Sequence, residues 1–433
     1  LGAVFRPILL LAVTVFIDLL GFGIVLPNLP QYVEAAVGPN HQQAAFIGSL
    51  LAASYSLTQF LCAPFWGAYS DRVGRRPVIL ISLIGIAISY ALFGLSGGHL
   101  WMLFAARLLA GLLSSASIGV AFAYVADVTT PENRAKGMGL LGACFGLGFA
   151  FGPVLGGLLG HISLALPAFV AAGMALANFA LSLRILPESL SPEKRAELAR
   201  ERRPSPVELM RRVLSDPAAP MFAVTFILTF GFAAVEQILG YFLMARGIAT
   251  PQNQPTRMAA ILGYVGLIGI VIQGGLIGPV VKRFGEGSVV RLGLATLILG
   301  YLLLTLPTAW GVGIFFASTF ISAGRSMIGP AASALISRKT RVGQGLIQST
   351  SQGFDALART VGPVTAGALF QKVAPVAPYY VSAVLTLAAL AMTFVLRDAV
   401  HVPPAAVAEA ESESQERAKA AVAAGSTSEV PLA

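Results

Sequence analysis

Charge is scarce in this sequence. Asp, Glu, Lys and Arg make up 11% of its 433 residues, against about 25% in soluble globular chains. So little charge excludes an ordinary water-exposed surface. Cysteine is nearly absent too: Cys62 and Cys144 stand alone in apolar stretches, without metal-ligand spacing, and read as small buried hydrophobes. The four histidines, His41, His99, His161 and His401, lie at the ends of apolar runs or in polar segments. That leaves no intramembrane histidine relay and no metal cluster. The chain has no Walker sequence, no nucleophile elbow and no HExxH pair, so nothing proposes an enzyme, a metal or an organic cofactor.

Apolar runs fill the space that charge leaves. Hydrophobic residues are 56% of the chain and the mean hydropathy is +0.78. The runs predict spans near 7–33, 44–69, 77–96, 100–127, 134–160 and 164–186, then 218–245, 257–281, 288–306, 309–336, 342–371 and 375–396. Each can cross a hydrocarbon core that needs about 20 helical residues. The predicted class is an all-α integral membrane protein of twelve transmembrane helices in two six-helix bundles. Residues 1–186 form the first bundle and 218–396 the second. Between them, 187–217 is a Pro-punctuated cytoplasmic linker whose charged stretch Glu193–Arg203 is expected to lie along the inner membrane surface. The Ala-, Glu- and Ser-rich residues 397–433 are expected to form a disordered cytoplasmic tail. The first run is too long for a cleavable signal peptide.

A net charge of +9 could suggest nucleic acid, but its distribution does not. On the predicted topology, 23 of the 29 Lys and Arg fall on one side. Arg246, Arg257 and Lys372 face the other side, and Arg107, Arg325 and Arg359 lie within spans. This bias orients both termini to the cytoplasm and offers contacts to anionic lipid head groups.

The polar link Gly67–Arg76 carries Asp71, Arg72, Arg75 and Arg76 between two apolar runs, and Gly74 suits a turn at positive φ. Its pattern Gly67-x-x-x-Asp71-Arg72-x-Gly74 returns as Gly278-x-x-x-Lys282-Arg283-x-Gly285, offset by 211. Gly152-Pro-Val-Leu-Gly-Gly157 returns as Gly362-Pro-Val-Thr-Ala-Gly367, offset by 210. Two matches at nearly one offset predict a duplication, with parallel halves around a central cavity, the layout of a secondary transporter.

These features together resemble the major facilitator superfamily: twelve spans, the Gly67–Arg76 link, Arg107 in the fourth span, and the fifth-span run Gly148, Gly152, Pro153, Gly156 and Gly157. The glycine–proline run is similar to that superfamily's antiporter motif. Phe16–Pro27, Tyr124–Thr129, Gly142–Gly148 and Leu186–Ser189 look like the twelve-helix drug:proton antiporters, with the first half similar to the tetracycline exporters. The resemblance implies a fold driven by a proton gradient, and a cytoplasmic gate of Gly67, Asp71, Arg72, Gly74, Arg75, Arg76, Asp127 and Arg134, with Glu132 beside it. It implies that Arg107 modulates protonation of a nearby acid. The departures put a metal–tetracycline cargo in doubt. The third and ninth spans carry no acid, and the eighth has Gln273 but no histidine.

Intramembrane charge is functional by default, because an ionisable side chain there needs a cavity or a partner. Asp18 and Glu236 are therefore candidates for proton or substrate binding; the alternative is a structurally paired acid. Asp355 and Arg359 stand at i and i+4 and can neutralise each other or join the coupling site. Arg107 could equally hold helix backbone. Arg325 has no evident partner in sequence. Candidate cavity residues are Asn28, Tyr55, Gln59, Gln237, Tyr241, Tyr264 and Gln273, although a membrane tyrosine can simply be interfacial. The glycines at 148, 152 and 156 make a bare ridge for close helix approach, and with Pro153 they permit a bend.

The expected function is proton-coupled export of amphipathic, drug-like small molecules, cations included, by alternating access, as in multidrug efflux and antibiotic resistance. The chain is expected to sit in the cell (inner) membrane as a multi-pass monomer, with protons, small-molecule substrate and membrane lipids as its partners and no nucleic acid. The alternatives are a flippase for a lipid or lipid-linked substrate, and a proton-coupled importer or uniporter of a small metabolite.

Overall fold

A computed structural model describes residues 2–200, 215–216, 218–339 and 344–395, and every regular element among them is helical. In the first half these are α1 (Gly2–Val25), α2 (Leu29–Val37), α3 (His41–Val73), α4 (Arg75–Gly94), α5 (Leu100–Val128), α6 (Pro131–Ile162), α7 (Leu166–Ile185) and α8 (Pro192–Arg200). After the linker come α9 (Ala219–Ala245), α10 (Gln254–Val271), α11 (Ile277–Phe284), α12 (Glu286–Leu304), α13 (Val312–Lys339), α14 (Gln344–Lys372) and α15 (Ala377–Val395). A tight turn at Leu26–Asn28 joins α1 to α2, and a widened turn at Ile272–Leu276 joins α10 to α11, so each pair runs as one bent span.

Eleven helices among the described residues are long and apolar enough to cross a membrane. The protein is an all-helical, multi-pass membrane fold. In lipid the backbone must satisfy its own hydrogen bonds, and continuous helices do this. The predicted eleventh span, 342–371, coincides with α14, 29 residues long. It is not among the eleven, because Asp355, Arg359 and several amide and hydroxyl residues dilute its apolar content. Large apolar side chains such as Phe65, Trp101, Ile162 and Val312 point outward, as a lipid-facing surface requires.

The link Gly67–Arg76 is almost wholly helical rather than a loop. Helix α3 runs to Val73, α4 starts at Arg75, and Gly74 alone reverses the chain at φ 109°. Gly285, at φ 74°, does the same between α11 and α12. A side chain is strained at either angle.

The duplication is visible atom by atom. A Cβ on Gly152 would stand 2.8 Å from the Leu20 carbonyl, and one on Gly362 would stand 2.6 Å from the Phe230 carbonyl. Gly157 meets Ala259 in the other half, and Gly367 meets Ser49. Gly152, Leu20 and Gly157 map onto Gly362, Phe230 and Gly367 by adding 210, and Ala259 maps onto Ser49 by subtracting 210, as exchange of the two halves requires. Helices α3 with α14, and α6 with α10, form the main contacts between halves, helped by α9 against α3.

Those contacts gather at one end. Gly48 meets Tyr241, Ala150 meets Gly266, Val154 meets Gly263 and Gly157 meets Pro255. Gln254 Nε2 donates to the Pro27 carbonyl at 3.1 Å, and Gln31 donates to the Pro251 carbonyl. Toward the Gly74 end, Gly139, Gly142 and Gly146 of α6 face open space, as do Gly274, Gly275 and Gly278. The halves close on each other toward the end remote from Gly74, and these glycines toward the Gly74 end are uncovered.

Candidate functional site: buried charges between the two halves

Asp18 lies within α1 and is 7% exposed. The Ser117 hydroxyl of α5 donates to its Oδ2, while Oδ1 has no protein partner. Arg107, 5% exposed, stacks its guanidinium 4.9 Å from the centre of the Phe93 ring, and its Nε makes no hydrogen bond. Among the described residues no ion pair joins Asp18 to Arg107. Tyr55 of α3 and Tyr90 of α4 lie within electrostatic range of both. Tyr55 accepts hydrogen bonds from Ser114 at 3.0 Å and from Gln59 at 3.4 Å.

The second half presents a different cluster. Glu236 of α9 has a buried Oε1 without a partner. Arg325 of α13 and Arg359 of α14 are the charges within its range. Arg325 also lies over the Phe232 ring, 3.6 Å from its centre, with Tyr301 nearby. The arginine without an evident sequence partner thus faces Glu236. Asp355 does not pair with Arg359, as i,i+4 spacing suggests; it accepts from the Thr229 hydroxyl at 2.8 Å, because α9 brings a donor alongside. A charge at mid-bilayer costs about 2.5–3.5 kcal/mol on insertion scales. Six such residues gathered near the interface of the halves are a strong mark of a site.

The cavity candidates divide. Tyr55 and Gln59 belong to the Asp18 cluster. Tyr264 is half-buried with its hydroxyl 2.8 Å from Thr319, and Gln273 is exposed at the turn into α11, toward the Gly74 end. Three others, Asn28, Gln237 and Tyr241, lie buried in contacts between helices. Asn28 is fully buried and donates to the Ile24 and Gly156 carbonyls at 3.2 and 2.9 Å. Gln237 donates to the Gly48 carbonyl at 3.3 Å, and Tyr241 packs on Gly48 itself. Small residues let these helices approach, and the Asn28 and Gln237 amides then donate to nearby backbone, whereas the buried Tyr241 hydroxyl makes no hydrogen bond.

At the link, Arg75 is the hub. It pairs with Asp71 at 2.5 Å and Asp127 at 3.1 Å, and donates to the Ser70 hydroxyl at 2.6 Å. Glu188, which follows α7, accepts from the backbone N–H groups of Arg75 at 2.8 Å and Arg76 at 3.2 Å, and faces Arg195 of α8 at 3.6 Å. A carboxylate there satisfies orphan donors and the helix dipole together. Arg76 reaches the Leu183 carbonyl at 2.8 Å, while Arg72 is exposed. The side chains of Glu132 and Arg134 lie outside the described residues. The ion pairs Arg75–Asp71, Arg75–Asp127, Lys194–Glu197 and Arg195–Glu188 all lie within the first half. The cluster staples the elements of the first half together.

The fifth-span glycines take two faces. Gly148, Gly152 and Gly156 press onto the α1 backbone around Phe16–Ile24, directly beside Asp18, with Pro153 against Gly23. Gly157 turns to α10 of the second half.

The Major Facilitator Superfamily model matches residues 11–308 and 274–428. The chain belongs to the major facilitator superfamily. It is 36% identical to the class C tetracycline resistance protein of Escherichia coli over 82% of this chain and 88% of that one. It is 29% identical to Multidrug resistance protein 2 of Bacillus subtilis (strain 168), over 84% and 88%. The likeness to tetracycline resistance proteins therefore covers most of the chain, not the first half alone. The human organic anion transporter MFSD10 (TETRAN) superposes with TM-score 0.66 at 26% identity, covering 90% of this chain and 99% of that one.

Membership in the superfamily makes this a membrane secondary transporter of small molecules, not an enzyme. Among the described residues no group of three His, Cys, Asp or Glu could hold a metal ion. Ser117, Glu188, Arg195 and Thr229 escaped sequence reasoning as partners. A hint existed for Ser117 in the run Ser114-Ser115-Ala116-Ser117, unusually polar for an apolar helix.

Proposed function

We propose that this facilitator exports amphipathic, drug-like small molecules, cations included, in exchange for protons. The observation that carries the reading is a pair of buried carboxylates, Asp18 and Glu236, one in each half and each with one oxygen unpartnered. Either oxygen can take a proton or a cationic cargo group. Competition for that position couples the two fluxes, since a ligand shifts the cycle only through differential affinity for its states. Arg107, Arg325, Arg359 and Asp355 set the charge around these acids. Tyr55, Gln59, Tyr264 and Gln273 offer hydrogen bonds, and Phe22 and Phe232 offer aromatic faces to the cargo.

The chain is organised as twelve spans in two bundles, 1–186 and 218–396, with α14 as the eleventh span. The Gly74 end faces the cytoplasm, as do both termini, and the protein works as a monomer in the inner membrane. The state described is then inward-open. The Asp71–Arg75–Asp127 cluster would meet the second half when the cavity opens outward. Relatives bearing tetracycline and multidrug resistance names support a drug-like cargo; the lack of an acid in the third and ninth spans (77–96 and 288–306), and Gln273 where a histidine is expected, argue against a metal–tetracycline complex.

The test uses purified protein in liposomes under an imposed pH gradient, with ethidium as probe and internal pH recorded. Gradient-driven ethidium flux with matching proton movement is expected. Ethidium flux that leaves internal pH unchanged would sink proton coupling, and translocation of labelled phospholipid without ethidium transport would establish the flippase instead.

A further inference from the structure

The Asp18 carboxylate rests on one hydroxyl, and that hydroxyl has a second place to point. Ser117 Oγ donates to Asp18 Oδ2 and also lies 3.1 Å from the Ser114 carbonyl. A serine hydroxyl has one proton to donate and two lone pairs to accept with. Beside an ionised Asp18 it must donate to the carboxylate. Beside a protonated Asp18 it can accept from the acid O–H and turn its own proton to the Ser114 carbonyl. No heavy atom has to move.

We propose that Ser117 is a positioning residue for proton coupling, reversing its hydrogen bond as Asp18 gains or loses its proton. This rests on the reading of Asp18 as a proton-carrying acid. The surroundings leave Ser117 that task. Helix α6 meets α1 here through Gly148 and Gly152, which carry no side chain, and α7 brings Asn178, which donates to Thr14 at 3.1 Å. The charged or titratable groups in range are Tyr55 of α3, Tyr90 of α4 and Arg107 of α5, with Arg359 of α14 acting on Tyr55. None of them donates a hydrogen bond to Asp18.

The reversal has a route outward. The Ser114 carbonyl that would receive the turned proton belongs to the residue whose own hydroxyl donates to Tyr55 at 3.0 Å. Tyr55 and its partner Gln59 sit on α3, the helix that packs on α14 across the two halves. The protonation state of α1 is thereby readable at α5, and through it at the helix that joins the halves.

The experiment titrates purified full-length protein in lipid by infrared difference spectroscopy, following the carbonyl stretch of a protonated carboxylic acid. The band missing in Asp18→Asn belongs to Asp18. In Ser117→Ala the band is expected to shift to the frequency of a weaker hydrogen bond, and its midpoint to move by about one pH unit, a tenfold change in proton affinity. The reason is that a charge-assisted bond is about twice as strong as the neutral one it alternates with. Ser117→Thr, which keeps the hydroxyl, is expected to restore both. A band and midpoint unchanged in Ser117→Ala would overturn the proposal, as would Ser117→Thr behaving like Ser117→Ala. Ethidium exchange in the same vesicles separates the two readings. Normal titration without ethidium exchange in the wild type counts against export, and leaves the role of Ser117 standing on its spectroscopic result.

Discussion

The two halves share close helix crossings and differ in charge. Gly152 on Leu20 and Gly362 on Phe230 are the same helix crossing, and Gly157 on Ala259 repeats as Gly367 on Ser49. Yet the first half holds a lone acid, Asp18, with one hydroxyl donor, while Glu236 in the second faces two arginines. The links diverge likewise. Arg75 gathers Asp71 and Asp127 in the first, whereas Lys282 and Arg283 of the second are exposed. What duplicates is close packing, which tolerates no Cβ at the crossings. What diverges is chemistry, since a rocking machine needs equivalent levers but not equivalent cargo groups.

Breaking the shared part should have the largest effect and should hit both halves alike. Gly152→Leu and Gly362→Leu each drive a side chain into backbone that has nowhere to go. Each is expected to lose more than about 3 kcal/mol, beyond ordinary overpacking, and to yield little monodisperse protein in size-exclusion chromatography. Tolerance of one and not the other would show that the crossings are not equivalent. The acids come next, and here the halves should part. Asp18→Asn keeps the Ser117 hydrogen bond, so gradient-driven exchange should fall to the leak rate with thermal stability nearly unchanged. Glu236→Gln should also stop exchange, but it leaves Arg325 and Arg359 without their counter-charge. A loss of roughly 1–3 kcal/mol in thermal or denaturant unfolding is expected as well. Equal stability in the two variants would erase the distinction drawn between the sites.

The sequence made the shared part legible and much of the divergent part illegible, for a physical reason. Apolar runs announce spans because lipid leaves the backbone no other partner, and Gly74 and Gly285 announce reversals because side chains resist positive φ. Asp18 and Glu236 stood out for the same economy of charge. A polar residue in a span, however, says only that some partner is needed. Asn28, Gln237 and Tyr241 look like cavity groups in sequence, yet all three lie buried in helix contacts, where Asn28 and Gln237 donate to backbone carbonyls of neighbouring helices and Tyr241 packs on Gly48. Spacing of i,i+4 put Asp355 beside Arg359, and Thr229, 126 residues away, took the carboxylate instead. Arg325 found its acid only once α9 and α13 were packed.

A smaller contrast lies at the links. Arg75 is buried and holds two acids, so Arg75→Ala should cost about 3 kcal/mol, near the lower end for breaking a buried pair. Arg283→Ala, at an exposed side chain resting near Phe284, should stay within about 0.5 kcal/mol. Unfolding curves of the two variants measured side by side decide it; similar losses would make the exposed link as structural as the buried one.

The smallest effect is the most pointed. Helix α4 borrows its N-terminal carboxylate from Glu188, more than a hundred residues onward, whereas α12 carries its own acid, Glu286, in its first turn. Glu188→Gln keeps the size of the side chain but removes the charge and replaces one acceptor oxygen with a donor that faces backbone N–H. A cost of about 1–2 kcal/mol is expected, the upper range for a partly buried charge at a helix terminus. Glu286→Gln should cost less, about 0.3–1 kcal/mol, the ordinary range for an acid in a helix's first turn. Because Glu188 also faces Arg195 of α8, its loss should free the linker helix from the link, and protease should reach α8 faster in Glu188→Gln alone. Equal proteolysis in the two variants would mean that Glu188 caps a helix and does no more. Faster cleavage confined to Glu188→Gln would make the borrowed carboxylate the tie between the linker and the first half's hinge.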